Sequence, residues 1–208
     1  MSTHIYFTRH GETVWNTQKL LQGWKDSPLT DRGINQAKRL LHRLSNIPLD
    51  AIYSSTSNRA YHTAEIIKGE RNLEVIQYES LRELSFGTWE GKTFEENEKE
   101  SIEDWISFWE TPHLFANKTV ESFVNVQERM SNTVKMIANN HPDQNVLIVT
   151  HSIALKLLID YFEENELKDL WATPAIPSTS LTLVKFNDDQ PEVVYKYDIE
   201  HLIEANRE

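Results

Sequence analysis

Ile5, Tyr6 and Phe7 form the first unbroken apolar run of the chain, and Thr8, Arg9, His10 and Gly11 follow at once. So short a run with a glycine behind it predicts a buried strand that ends in an abrupt turn. The period then changes. Between Asp31 and Leu44 the apolar positions Ile34, Ala37, Leu40, Leu41 and Leu44 recur at helical spacing, with Thr30 or Asp31 as N-cap. Ala51, Ile52 and Tyr53 predict a second strand, and polar Ser54 to Asn58 leads into a helix through Ala60, Ala64 and Ile67 that stops near Gly69. Glu74 to Gln77 reads as a third strand, Thr93 to Glu110 as helical, and Val120 to Asn140 as a longer amphipathic helix closed before Pro142. Within Asn145 to Thr150, the run Val146, Leu147, Ile148, Val149 has the mostly β-branched character of a central parallel strand. It opens into the apolar helix Ile153 to Phe162, and Ser180 to Phe186 and Val193 to Tyr197 pair around a turn from Asn187 to Pro191. Strands alternating with helices predict an α/β fold, a three-layer sandwich with a central, mostly parallel sheet flanked by helices. No repeat, low-complexity tract or linker interrupts the pattern, so residues 1–208 read as one domain.

Composition narrows the class. At 208 residues, 39% hydrophobic and 10% aromatic, the chain can bury one good-sized core. No stretch approaches the roughly 18 apolar residues of a membrane span. Met1, Ser2, Thr3 and His4 do not look like the start of a signal peptide, so a cytoplasmic location and no membrane partner are expected. The absence of cysteine excludes disulfides, thiolate metal sites and cysteine nucleophiles. A net charge of −11 argues against nucleic acid and acidic lipid as partners. An anionic substrate still fits if a few cations converge.

Candidate cations stand at the turns. Arg9 and His10 follow the first strand, where open α/β sheets build their ligand crevices. There His10 could be a nucleophile, a base or a metal ligand, and alone it would pass for a structural histidine. Arg59 stands near the start of the next helix, where an N-terminus already favours anions and a guanidinium adds a bidentate fork. Glu83 lies in the segment Leu81 to Gly91, and His151 directly follows the buried strand ending at Thr150. The other histidines (His4, His42, His62, His113, His141, His201) lack metal-ligand spacing, so no metal is expected.

Five blocks in this order, Arg9 to Asn16, Gln22 to Gly33, Ser54 to Ala64, Leu81 to Gly91 and Val149 to Ser152, resemble the histidine phosphatase superfamily, also called phosphoglycerate mutase-like. The resemblance implies a phosphohistidine mechanism without metal or cofactor. His10 matches the nucleophile, whose second ring nitrogen should be kept protonated by a backbone carbonyl. Arg9, Arg59 and His151 match the catalytic groups around the phosphoryl oxygens, with Asn16, Gln22 and the backbone of Gly23 completing the phosphate-binding set. Glu83 matches the proton donor to the leaving oxygen. Glu12 is read as support behind these groups and Glu90 as a turn or surface residue.

The same family includes mutases and phosphatases. The segments Gln22 to Thr30 and Leu84 to Gly91 are similar to the phosphatase branches, since mutases usually carry a small hydroxyl residue at the Gln22 position. A capping segment is expected around residues 92–120. Between Phe94 and Val120 it holds seven acidic residues against Lys99 and Lys118, too few cations for a second phosphate and a carboxylate. Trp105, Phe108, Trp109 and Phe115 suggest an apolar wall there instead. The expected function is hydrolysis of small phosphomonoesters, phosphorylated metabolites with an apolar or aromatic portion, by a monomer or homodimer. A cofactor-dependent phosphoglycerate mutase and a non-catalytic phosphate-ligand binding protein are the alternatives.

Overall fold

Six strands organise the described residues: β1 (Ser2–Arg9), β2 (Ala51–Ser55), β3 (Val75–Tyr78), β4 (Asn145–Thr150), β5 (Leu181–Asn187) and β6 (Gln190–Asp198). They lie in one sheet in the order β3-β2-β4-β1-β5-β6. The computed structural model describes residues 2–187 and 190–203, so Met1, the tip of the turn expected from Asn187 to Pro191, and residues 204–208 lie outside the description. β1, β2, β3 and β4 pair in parallel, whereas β5 and β6 close one edge antiparallel. The helices are α1 (Val14–Thr17), α2 (Asp31–Arg43), α3 (Asn58–Lys68), α4 (Phe94–Glu100), α5 (Ile102–Glu110), α6 (Phe123–Asn140), α7 (Ser152–Phe162) and α8 (Glu200–Ile203).

The uninterrupted apolar run of β4 is explained by two cores. Val146 and Ile148 point to one face, where they join Ile5, Phe7, Val134 and Leu158 of β1, α6 and α7. Leu147 and Val149 point to the other, against Leu40 of α2 and Ile67 of α3. A strand buried on both faces needs apolar side chains at every position, and the three layers follow. Among the described residues no helix is long and apolar enough to cross a membrane.

Two helix expectations are corrected by capping. The stretch Thr93 to Glu110 is two helices, because Ser101 (φ −148°, ψ 62°) leaves helical geometry between α4 and α5. Thr93 and Glu96 form a reciprocal capping box that starts α4. α6 starts at Phe123 and not at Val120, since the Ser122 side chain accepts from the Asn125 N–H at 3.2 Å and sets the boundary. Thr30 caps α2 through the Gly33 N–H, as its position before the apolar period predicts.

Strand register fixes where the turn residues meet. Thr8 lies opposite Val149 and Arg9 opposite Thr150, while Ser54 is opposite Val149 on the other side. The carboxyl ends of β1, β2 and β4 are therefore level. Residues 10, 55 and 151 emerge side by side.

Candidate active site

His10 and His151 meet edge to face with ring centroids 5.3 Å apart, as that register requires. The Nδ1 of His10 is 2.7 Å from the Gly11 carbonyl oxygen. A carbonyl only accepts, so the proton sits on Nδ1 and the lone pair on Nε2. Arg59 donates its Nε–H to that Nε2 at 3.3 Å. Burial first, then the Arg59 and Arg9 charges, hold the His10 imidazolium well below the ordinary histidine range, so the ring is neutral at neutral pH. His151 is pushed down in the same way, by burial and then by Arg59. Its Nε2 lies 2.8 Å from Ser55 Oγ, and its buried Nδ1 has no protein partner.

Arg59, only 1% exposed, is the second residue of α3 and the centre of the site's wiring. Besides His10 it donates to the carbonyls of Gly23 and Lys25, both at 2.8 Å, and to Asp26 Oδ1 at 3.1 Å. Asp26 in turn accepts from the Asn58 and Arg59 N–H groups, supplying the helix cap that the Ser57 side chain does not. Burial lowers the Arg59 pKa and the Asp26 charge opposes it. Arg9, at the end of β1, donates from Nη1 to the Ile176 carbonyl at 2.6 Å, and its buried Nε is unpaired.

The Glu83 side chain reaches from its own segment to the N-terminus of α7. Its Oε1 accepts from the N–H groups of Leu84 at 2.9 Å and Ala154 at 2.8 Å, and Oε2 from Ile153 at 3.1 Å. A helix N-terminus is a natural seat for a carboxylate. Oε2 retains capacity for one more hydrogen bond.

Arg9, His10, Arg59 and Glu83 border a cavity of about 930 Å³, together with Asn16, Gln22 and Gly23. His151 does not border it; it backs the His10 ring from inside the protein. Asn16 commits its Oδ1 to Thr13, leaving its amide N–H groups as what it can offer an anion. Gln22 is buried with Oε1 unpaired. Gly23 has φ +54°, and a Cβ there would come 2.2 Å from Glu90 Oε1. Glycine is required by both counts.

That contact corrects the reading of Glu90 as a turn or surface residue. Glu90 is 8% exposed, and its carboxylate accepts from the N–H groups of Trp24 (2.8 Å), Lys25 (3.2 Å) and Phe86 (3.0 Å). It staples the 22–26 loop to the segment that carries Glu83. The Glu12 carboxylate accepts from the Thr30 hydroxyl at 2.9 Å and pairs with Arg32 at 3.4 Å, so it ties the turn after β1 to the start of α2.

The apolar wall is also corrected. Of the four aromatics expected to form it only Trp109 borders the cavity, beside Phe86, Phe94 and Trp171. Trp105, Phe108 and Phe115 are buried inward, where Phe108 packs on Trp89, Phe115 and Phe123 at 5.5, 5.1 and 5.0 Å. Trp105 and Phe108, three residues apart, share the one face of α5 that is buried in the core, while Ile102 and Ile106 on the other side are exposed. Lys19 and Lys156 also border the cavity, but the Lys156 ammonium already donates to the Thr173 hydroxyl and the carbonyls of Thr173 (2.9 Å) and Pro174 (3.3 Å). Among the described residues, no group of three or more His, Asp or Glu is placed to hold a metal ion.

Comparison with known proteins points the same way. Residues 5–199 match the family described as Histidine phosphatase superfamily (branch 1). Phosphoserine phosphatase 1 of Hydrogenobacter thermophilus is 33% identical over 168 residues, covering 81% of this chain and 80% of the relative. A phosphoglycerate mutase of Schizosaccharomyces pombe is 33% identical over 162 residues, 74% of this chain and 77% of the relative. Among solved structures, Bacillus stearothermophilus YhfR superposes with a TM-score of 0.94 at 42% identity, covering 96% of this chain and 99% of that one.

Proposed function

The chain belongs to the histidine phosphatase superfamily, and from that premise we infer how this site hydrolyses small phosphomonoesters without a metal. The observation that carries the reading is His10, neutral, with its lone pair held on Nε2 at the cavity floor between a guanidinium and a second imidazole. An entering phosphoryl group takes that lone pair from Arg59. The Nε2–P bond forms as the ester P–O bond breaks in line, and the leaving oxygen takes a proton from the Glu83 carboxyl. Water then attacks phosphorus, the N–P bond breaks, the water proton returns to Glu83, and orthophosphate leaves. Arg9, Arg59 and the amide groups of Asn16 and Gln22 stabilise charge on the equatorial oxygens, with His151 beside the nucleophile.

Substrate preference follows from the walls. Phe86, Phe94, Trp109 and Trp171 favour an ester with an apolar or aromatic alcohol. Of the cations bordering the cavity, Arg9 and Arg59 serve the transferred phosphoryl group and Lys156 is already paired, which leaves Lys19 alone to meet further negative charge, fewer cations than a second phosphate and a carboxylate would need. The mutase-named relative keeps phosphoglycerate mutation as the second reading. We read the chain as a single cytoplasmic domain with segment 92–120 as its cap, working as a monomer or homodimer.

Brief mixing with a labelled aryl phosphate and acid quench should trap phosphate on His10, and His10→Ala should abolish both trapping and turnover. A chain that binds phosphate but never becomes labelled is a binder, not an enzyme. Fast interconversion of 2- and 3-phosphoglycerate with negligible hydrolysis of 4-nitrophenyl phosphate would establish the mutase instead.

A further inference from the structure

Glu83 is held from behind by a side chain that never reaches the cavity. Arg129 of α6 uses all five of its N–H donors. Nη1 gives to the carbonyls of Ser80 at 2.8 Å and Arg82 at 2.7 Å, and Nη2 to the Glu83 carbonyl at 3.0 Å and Glu121 Oε2 at 2.9 Å. Nε completes the set on Glu121 Oε1 at 2.8 Å. Glu121 Oε2 also accepts the Ser85 N–H at 3.1 Å. The pair therefore grips the backbone on both sides of Glu83, in a stretch between two short 3-10 turns that has no helix or strand of its own. Such a stretch has no ladder of hydrogen bonds to hold it, and its direction is set by whatever side chains satisfy its carbonyls. Only a planar fork can reach three carbonyls and a carboxylate at once; an ammonium cannot.

We propose that Arg129, braced by Glu121, is the positioning residue that aims the Glu83 carboxyl at the leaving oxygen. The inference rests on the reading of Glu83 as proton donor. Proton transfer tolerates little displacement, since an error of about 1 Å can cost about 100-fold in rate. A residue that only stabilises the fold would slow every substrate alike. One that aims a proton donor matters in proportion to how badly the leaving group needs the proton.

The test is kcat/KM across a series of phosphomonoesters, from 4-nitrophenyl phosphate, whose leaving group departs unaided, through phenyl to alkyl phosphates. Arg129→Lys should lower kcat/KM about 100-fold for the alkyl ester and less than about 5-fold for the 4-nitrophenyl ester. Glu83→Gln should show the same gradient, steeper. The isosteric Glu121→Gln should share the gradient in weaker form, and it carries the test if Arg129→Lys does not fold. Equal losses across the series for the Arg129 and Glu121 variants, or no loss, overturn the proposal when Glu83→Gln is graded. If Glu83→Gln is itself flat, the assignment of Glu83 fails and the proposal falls with it.

Discussion

His10, Arg59 and His151 could be picked from the chain because each stands where a strand ends or a helix begins, and Glu83 because the segment Leu81 to Gly91 around it matches a family motif. Glu90, Asp26, Ser55 and Arg129 could not, since their partners are far away in sequence: Glu90 accepts from Trp24 across 66 residues and His151 meets Ser55 across 96. A carboxylate bound for two distant amides and one four residues back looks, along the chain, like any acidic residue beside a glycine. Its removal should be costly. Glu90→Ala leaves the amides of Trp24, Lys25 and Phe86 without an acceptor, and each orphaned group costs about 1–3 kcal/mol, less where water enters. We expect a loss of about 3 kcal/mol in denaturant unfolding and a KM raised about tenfold, because the Gly23 and Lys25 carbonyls that hold Arg59 loosen together. A stability change under about 0.5 kcal/mol would mean that water replaces Glu90 without penalty.

At the scale of elements, local signals were reliable where a cap or a period was explicit. Thr30 before α2 is one case and Gly69 closing α3 is another. They failed where composition stayed helical through a break, as at Ser101, whose backbone geometry has no marker in the residues around it. The two helices α4 and α5 together bring Phe94 and Trp109 to the cavity, with ring centroids 5.7 Å apart and Trp109 4.6 Å from Trp171. If this wall binds the alcohol portion, Trp109→Ala should raise KM for 1-naphthyl phosphate about tenfold while leaving kcat close to normal. That corresponds to about 1.4 kcal/mol of lost apolar contact. Glycerol phosphate, too small to lie along the wall, should be nearly unaffected. An equal loss for both esters would move the alcohol site elsewhere in the cavity.

For the whole molecule, the buried imidazoles make stability depend on pH. His10 and His151 are held well below the ordinary value of 6.5, and His201 is lowered to about 4, burial being the first cause in each. An unfolded chain takes up these protons as the pH falls through 6.5, while the folded chain does not. Each contribution is therefore complete above pH 6.5 and is lost as pH falls below it, that of His201 by about pH 4, at about 1.4 kcal/mol per pH unit for each proton withheld. Unfolding midpoints in urea at pH 7, 6 and 5 should fall steeply, and His201→Phe should flatten part of the slope. A midpoint constant from pH 7 to 5 would show that these rings take up protons in the folded chain as they do in the unfolded one.

The order of strands and helices, the two-faced burial of β4 and the chemistry of the turn residues were set by the sequence alone, because hydrophobic period and capping act over a few neighbouring residues. Register was decided only in three dimensions. The pairing of Arg9 with Thr150 and of Ser54 with Val149 levels three strand ends and brings His10 against His151. The tertiary structure also decided which aromatics face the cavity, that Glu90 is a buried staple, and that Arg129 lies behind Glu83. Those outcomes depend on hydrogen bonds and packing between segments tens of residues apart, which no local pattern encodes.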